Sequence, residues 1–161
     1  DSPTLFLEDE SRAIGSIALP LDLHREMANA KIAHVDASLD YRVETILNDY
    51  IVSNYEDYKK HSSASAMERF SDSLLSSLER IRKRLGGERY AEIDALMRRA
   101  LAANNDLDQH RAWIRRLLVE YYDPMYEYQL SKKSHRVVFR GSRDSFLEWA
   151  AALDRAPAAE R

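Results

Sequence analysis

Glu8-Asp9-Glu10-Ser11-Arg12 sets three carboxylates, a hydroxyl and a guanidinium in five consecutive positions, with Gly15 three residues further on. Carboxylates at that density suit a hard cation held directly or through water. An arginine beside them can fork onto phosphate oxygens. Gly15 would let backbone approach a ligand closely. Arg42, expected on the first turn of a helix that follows a short strand, is a second cation able to reach the same anion. Each feature also has an ordinary reading. Arg12 pairs locally in a solvated loop, and Arg42 balances Asp40 and Glu44 at the surface.

A second group of residues suits a different ligand. Tyr121-Tyr122-Asp123-Pro124-Met125-Tyr126, then Tyr128, gathers four tyrosines around an Asp-Pro, and Lys132, Lys133 and Arg136 follow. Exposed rings can stack unpaired bases while cations hold the backbone. Arg115 and Arg116, just upstream, belong to the same basic stretch: residues 110–143 hold 8 Lys/Arg against 3 Asp/Glu. The alternative is that half of these rings are core with hydroxyls at the rim. Arg80, Arg82, Lys83 and Arg84 make another basic run at an expected helix C-terminus, where the macrodipole already favours positive charge. The five histidines are scattered, and no pair has metal-ligand spacing. No metal site and no catalytic residue are expected within this chain.

The elements that must position these groups follow from composition and periodicity. With 161 residues, 45% hydrophobic and 32% charged, the chain can bury a sizeable core. Four glycines and four prolines are few enough to favour long helices. Zero cysteines exclude disulfides and a nucleophilic thiol within these residues. No apolar run suggests a membrane span and no signal peptide is visible, so a cytoplasmic protein is expected. The first residue is Asp1, which fits part of a longer protein.

Leu5-Phe6-Leu7 reads as a short buried strand, Ile14 to Leu19 as a strand or loop, and Pro20 to about Asn29 as a helix. Residues 31–36 read as another strand, with Ser38 capping a helix that carries Val43, Ile46, Leu47, Tyr50 and Ile51. The front is therefore strand, helix, strand, helix: half of an open parallel sheet. Beyond it, stripes at 67–85, 90–101 and 107–121 predict three packed antiparallel helices. Pro124 either follows a capping Asp123 into a new helix or kinks the old one. A late strand at about 136–140 and a helix at 145–153 complete the reading. The fold class is α/β and predominantly helical, divided into an α/β segment at 1–60 and a helical extension at 61–161.

The acidic segment with Ile14-Gly15 and Leu19-Pro20, and the tyrosine segment continuing through Gln129-Leu130, Lys132-Lys133, Val137 to Gly141 and Leu147-Glu148-Trp149, together resemble the C-terminal part of bacterial tRNA 2-selenouridine synthase. The likeness covers nearly the whole chain. It implies a preceding rhodanese-like domain with a catalytic cysteine and a phosphate-loop (P-loop) half-domain, both lacking here, so these residues alone are expected to be inactive. It implies conversion of wobble 2-thiouridine to 2-selenouridine, with selenophosphate and geranyl diphosphate as co-substrates and a geranylated intermediate. On that resemblance Glu8, Asp9, Glu10, Ser11, Arg12, Gly15 and Arg42 line the substrate-phosphate crevice. Arg115, Arg116, Tyr122, Tyr126, Lys132, Lys133 and Arg136 would hold the tRNA anticodon arm. Half of a nucleotide kinase, a non-catalytic helical RNA-binding module and a protein-interaction domain are the competing readings.

Overall fold

The computed structural model describes residues 4–9, 12–14, 17–61 and 63–155. The chain divides into two units: residues 38–131, and residues 1–37 with 132–161.

The helical unit begins where Ser38 caps α2 (Leu39–Ile46), its side chain accepting from the Tyr41 N–H at 3.2 Å. A wide π turn, Leu47–Ser53, leads into α3 (Asn54–His61). The long stripe from Met67 forms α4 (Ala66–Leu85), stopped by Gly86 at φ 88°, a left-handed conformation that costs a glycine little. Helix α5 (Gly87–Ala102) ends at Asn104 and Asn105, also at positive φ, which asparagine tolerates. Asp106 then caps α6 (Leu107–Leu117), accepting from the Asp108 and Gln109 N–H groups at 2.9 and 3.1 Å.

A second π turn, Leu118–Tyr122, joins α6 to α7 (Asp123–Lys132). Asp123 does not cap a new helix: it is itself helical, at φ −60° and ψ −50°, and the chain stays helical through Pro124 because the wider turn accommodates a ring that lacks an N–H and crowds the carbonyl four residues back. All described hydrophobic residues that are fully buried lie in this unit, among them Val43, Ile51, Phe70, Ile93 and Ile114.

The other unit is built differently. Ala13–Ile14 (β1) and Ile17–Ala18 (β2) form a small antiparallel pair. Pro20 precedes α1 (Leu21–Asn29), as expected of a residue with fixed φ and no donor. Strand β3 (Ile32–Val35) pairs in parallel with β4 (Val137–Gly141), in the register Ile32↔Val137 through Val35↔Gly141. Ser142 then leads into α8 (Arg143–Arg155). A Cβ at Gly141 would lie 2.7 Å from Ser145 Oγ and 3.0 Å from the Phe139 ring, so a larger residue there would push one of those side chains aside.

Two sequence expectations change. The parallel sheet exists, but the partner of β3 comes from the far end of the chain rather than from the front. Leu5-Phe6-Leu7 is no buried strand: it pairs with no other strand, and the three are 77%, 40% and 53% exposed. Phe6 packs its ring edge-on against Phe146 and Trp149 instead.

Candidate functional site

In the helical unit, α2 presents Arg42 one turn in from its cap, with its N–H on the Ser38 carbonyl at 3.1 Å. Its guanidinium forks onto Asp123: Nη2 donates to Oδ2 at 3.0 Å and Nη1 to Oδ1. Asp123 is the first residue of α7, delivered there by the π turn before it. The two side chains are 33% and 25% exposed, and Arg42 Nε is buried without a hydrogen-bond partner. The Asp123 carboxylate raises the arginine's pKa further, so Arg42 is a permanent cation. A planar fork that grips a carboxylate also fits a phosphoryl group. Here its charge is balanced by Asp123.

Beside Asp123 in sequence the tyrosines form a short stack. Tyr121 and Tyr122 meet edge-on at 4.9 Å between centroids, and Tyr122 and Tyr126 lie nearly parallel at 6.1 Å. Burial, with Tyr50, Tyr121 and Tyr126 nearby, pushes the Tyr122 phenol above its usual pKa, so it stays neutral and able to donate. Tyr126 and Tyr128 are largely exposed. Tyr121 and Tyr122 are half-buried, so the four rings fall between the stacking and the core readings.

The expected RNA-holding cations of this unit are spoken for. Arg115 pairs with Asp40. Arg116 donates from Nε to Glu120 at 2.6 Å and from Nη2 to Glu92. Arg111, not singled out from sequence, clamps Glu44 at 2.6 and 3.0 Å and Asp108 at 2.7 Å. That hydrogen bonding holds Glu44 below the usual carboxylate range.

In the sheet unit, Lys133 Nζ donates to Asp9 Oδ2 at 2.6 Å. Arg136 donates to the Ala30 and Met27 carbonyls at 2.8 and 2.9 Å, closing the C-terminal end of α1, where carbonyls lack helical partners. Lys132 ends α7. Glu8 is exposed and Arg12 sits in an exposed bend before β1. Glu10, Ser11 and Gly15 lie outside the described residues. Asp36 and Arg140 face each other at the ends of β3 and β4 at 3.2 and 3.3 Å, which lowers the Asp36 pKa.

Asp123 is the main residue that sequence reasoning missed as a partner. Its only local signal was the Asp-Pro step, and the arginine it holds is 81 positions away. Among the described residues no three His, Cys, Asp or Glu side chains gather so as to hold a metal ion, and no helix is long and apolar enough to cross a membrane.

The family model described as the tRNA 2-selenouridine synthase AAA domain matches residues 1–156. The chain belongs to this family. Proteins named tRNA 2-selenouridine synthase are similar over most of its length: 45% identical over 89% of the chain in Photobacterium profundum, 44% over 94% in Shewanella oneidensis, and 41% over 91% in Marinobacter nauticus. The chain spans 41% of each of those relatives. No solved structure matches it. Within this family domain, then, the helical unit carries the Arg42–Asp123 fork and, beside Asp123 in sequence, the tyrosine stack. Asp9–Lys133 and Arg136 belong to the sheet unit.

Proposed function

We propose that the full-length protein is a transferase that replaces the sulfur of wobble 2-thiouridine in tRNA by selenium. Selenophosphate donates the selenium, and a geranylated thiouridine made from geranyl diphosphate is the intermediate. The observation that carries this reading is the 41–45% identity, over about nine-tenths of the chain, to proteins named tRNA 2-selenouridine synthase. In it, residues 1–60 complete a phosphate-loop domain and residues 61–161 extend it.

The chemistry sets what this segment must supply. Both co-substrates are phosphate-bearing anions, so their crevice needs cations, and an arginine such as Arg12 has the forked geometry for phosphate. The exposed faces of Tyr126 and Tyr128 suit stacking on unpaired anticodon bases, a contact worth about 1–3 kcal/mol per base.

The test is conversion in vitro. Full-length protein, tRNA carrying wobble 2-thiouridine, geranyl diphosphate and selenophosphate are incubated, and nucleosides are resolved by mass spectrometry. The expected product is 2-selenouridine in place of 2-thiouridine; its absence overturns the reading. Arg12→Ala should slow turnover while tRNA affinity holds. Unchanged turnover removes Arg12 from the crevice.

A further inference from the structure

We propose that the solvent-facing side of α4 at its C-terminal end, carrying Arg80, Lys83 and Arg84, is a contact surface for the tRNA phosphodiester backbone. The proposal rests on the tRNA reading above and adds the surface that meets the nucleic acid.

At 100° per residue, positions 80, 83 and 84 fall within an arc of about 100° on the side away from the buried Leu78 and Leu85. All three side chains are exposed. Ser77 shares that side: its hydroxyl donates to the Ser73 carbonyl at 2.9 Å and accepts from Arg80 Nη2 at 2.6 Å, which orients the guanidinium without neutralising it. Glu79, the acid next in sequence, receives hydrogen bonds from the Tyr90 hydroxyl and from Arg82. Among the described residues, Arg80, Lys83 and Arg84 are in ion pairs with no carboxylate, whereas Arg111, Arg115, Arg116 and Lys133 all are.

That difference decides which cations bind a polyanion well. A cation already paired must give up its carboxylate before it takes a phosphate, so little is gained. An unpaired one releases the counterions condensed on the nucleic acid at no such cost. The helix end contributes roughly half a negative charge, which accounts for a cation in the last turn but is outweighed by three. The result is a local positive surface on a chain whose net charge is −3.

The test compares full-length protein with an Arg80→Gln/Lys83→Gln/Arg84→Gln variant in tRNA titrations over a salt series, read by fluorescence anisotropy. The unsubstituted protein is expected to bind with a steep salt dependence. The variant is expected to lose tenfold or more in affinity at low salt. Its log–log salt slope should be shallower by about 2–3, given about 0.9 per phosphate contact. Lys59→Gln/Lys60→Gln removes cations that are paired with Glu56 and Asp57 and should leave the slope unchanged.

Circular dichroism verifies folding. If the triple variant does not fold, Arg84→Gln alone is used and should shift the slope by about 1. An unchanged slope and affinity overturn the surface while leaving the tRNA reading intact, and point instead to an acidic protein partner. No tRNA binding by the unsubstituted protein overturns both.

Discussion

The two units of this chain solve the burial problem to different degrees. Residues 38–131 surround Ile51, Phe70 and Ile93, each at 0% exposure, with helices α2 to α7 and two π turns from a single sequence-contiguous stretch. The unit of β3, β4, α1 and α8 has no fully buried residue among those described, although Phe6, Phe139, Phe146 and Trp149 pack ring on ring. A two-stranded parallel sheet with apolar residues on both sides is the part of an α/β fold that relies on further layers. Burial is unevenly shared between the two units. The helical unit holds its own core, and the sheet unit is the one that gains most from additional chain.

The largest expected effect is on the helical side. Phe70→Ala, which empties the space against Tyr55 and Tyr58, should cost about 3–5 kcal/mol in chemical denaturation. Phe139→Ala in the sheet unit should cost only about 1 kcal/mol, since its site is half open to water. Equal losses would break the comparison.

His110 sharpens it next. It is fully buried, its Nδ1 accepts from Trp113 Nε1 at 2.8 Å, and its Nε2 lies 2.6 Å from Asn105 Oδ1. With Nδ1 accepting, the ring proton sits on Nε2 and the imidazole is neutral. Burial lowers its pKa from 6.5 to about 4. The unfolded chain therefore binds the extra proton first. Stability from this group is full above pH 6.5 and falls as pH drops toward 4, by up to about 3 kcal/mol. His110→Leu should cost about 2–3 kcal/mol at pH 7 by stranding Trp113 and Asn105. It should also flatten the pH 4–6.5 limb of a melting-temperature profile; a limb of unchanged steepness would acquit His110.

The smaller effect lies at the polar cluster. Asp123→Ala leaves Arg42 without its partner in a one-third-exposed site, which should cost about 1–2 kcal/mol. In a double-mutant cycle Arg42→Ala and Asp123→Ala should couple; additive losses would mean that the fork is not what joins α2 to α7.

Local features were legible in the sequence. The stripes at 67–85 and 90–101 and the cap at Ser38 each depend on residues within one or two turns. The family was legible too, because its acidic and tyrosine segments are short and distinctive. What stayed hidden depends on partners far along the chain. The charges at Arg42, Arg115 and Lys133 look available until Asp123, Asp40 and Asp9 arrive from 81, 75 and 124 residues away. Leu5-Phe6-Leu7 has strand composition, yet a strand needs a neighbour, and its rings and methyls carry no sign that none adjoins it. The acid at Asp123 was visible only as a possible cap.

The pairing of β3 with β4 has a consequence during synthesis. Ile32 leaves the ribosome 105 residues before Val137, the position it pairs with. At about 5–20 residues per second, the edge of β3 that β4 occupies waits roughly 5–20 s for its partner. All of α2 to α7 is made in that interval. A helical unit that folds at once would shorten the gap that β4 must close, and any delay in its folding would prolong the period in which β3 is open to pairing with another nascent chain.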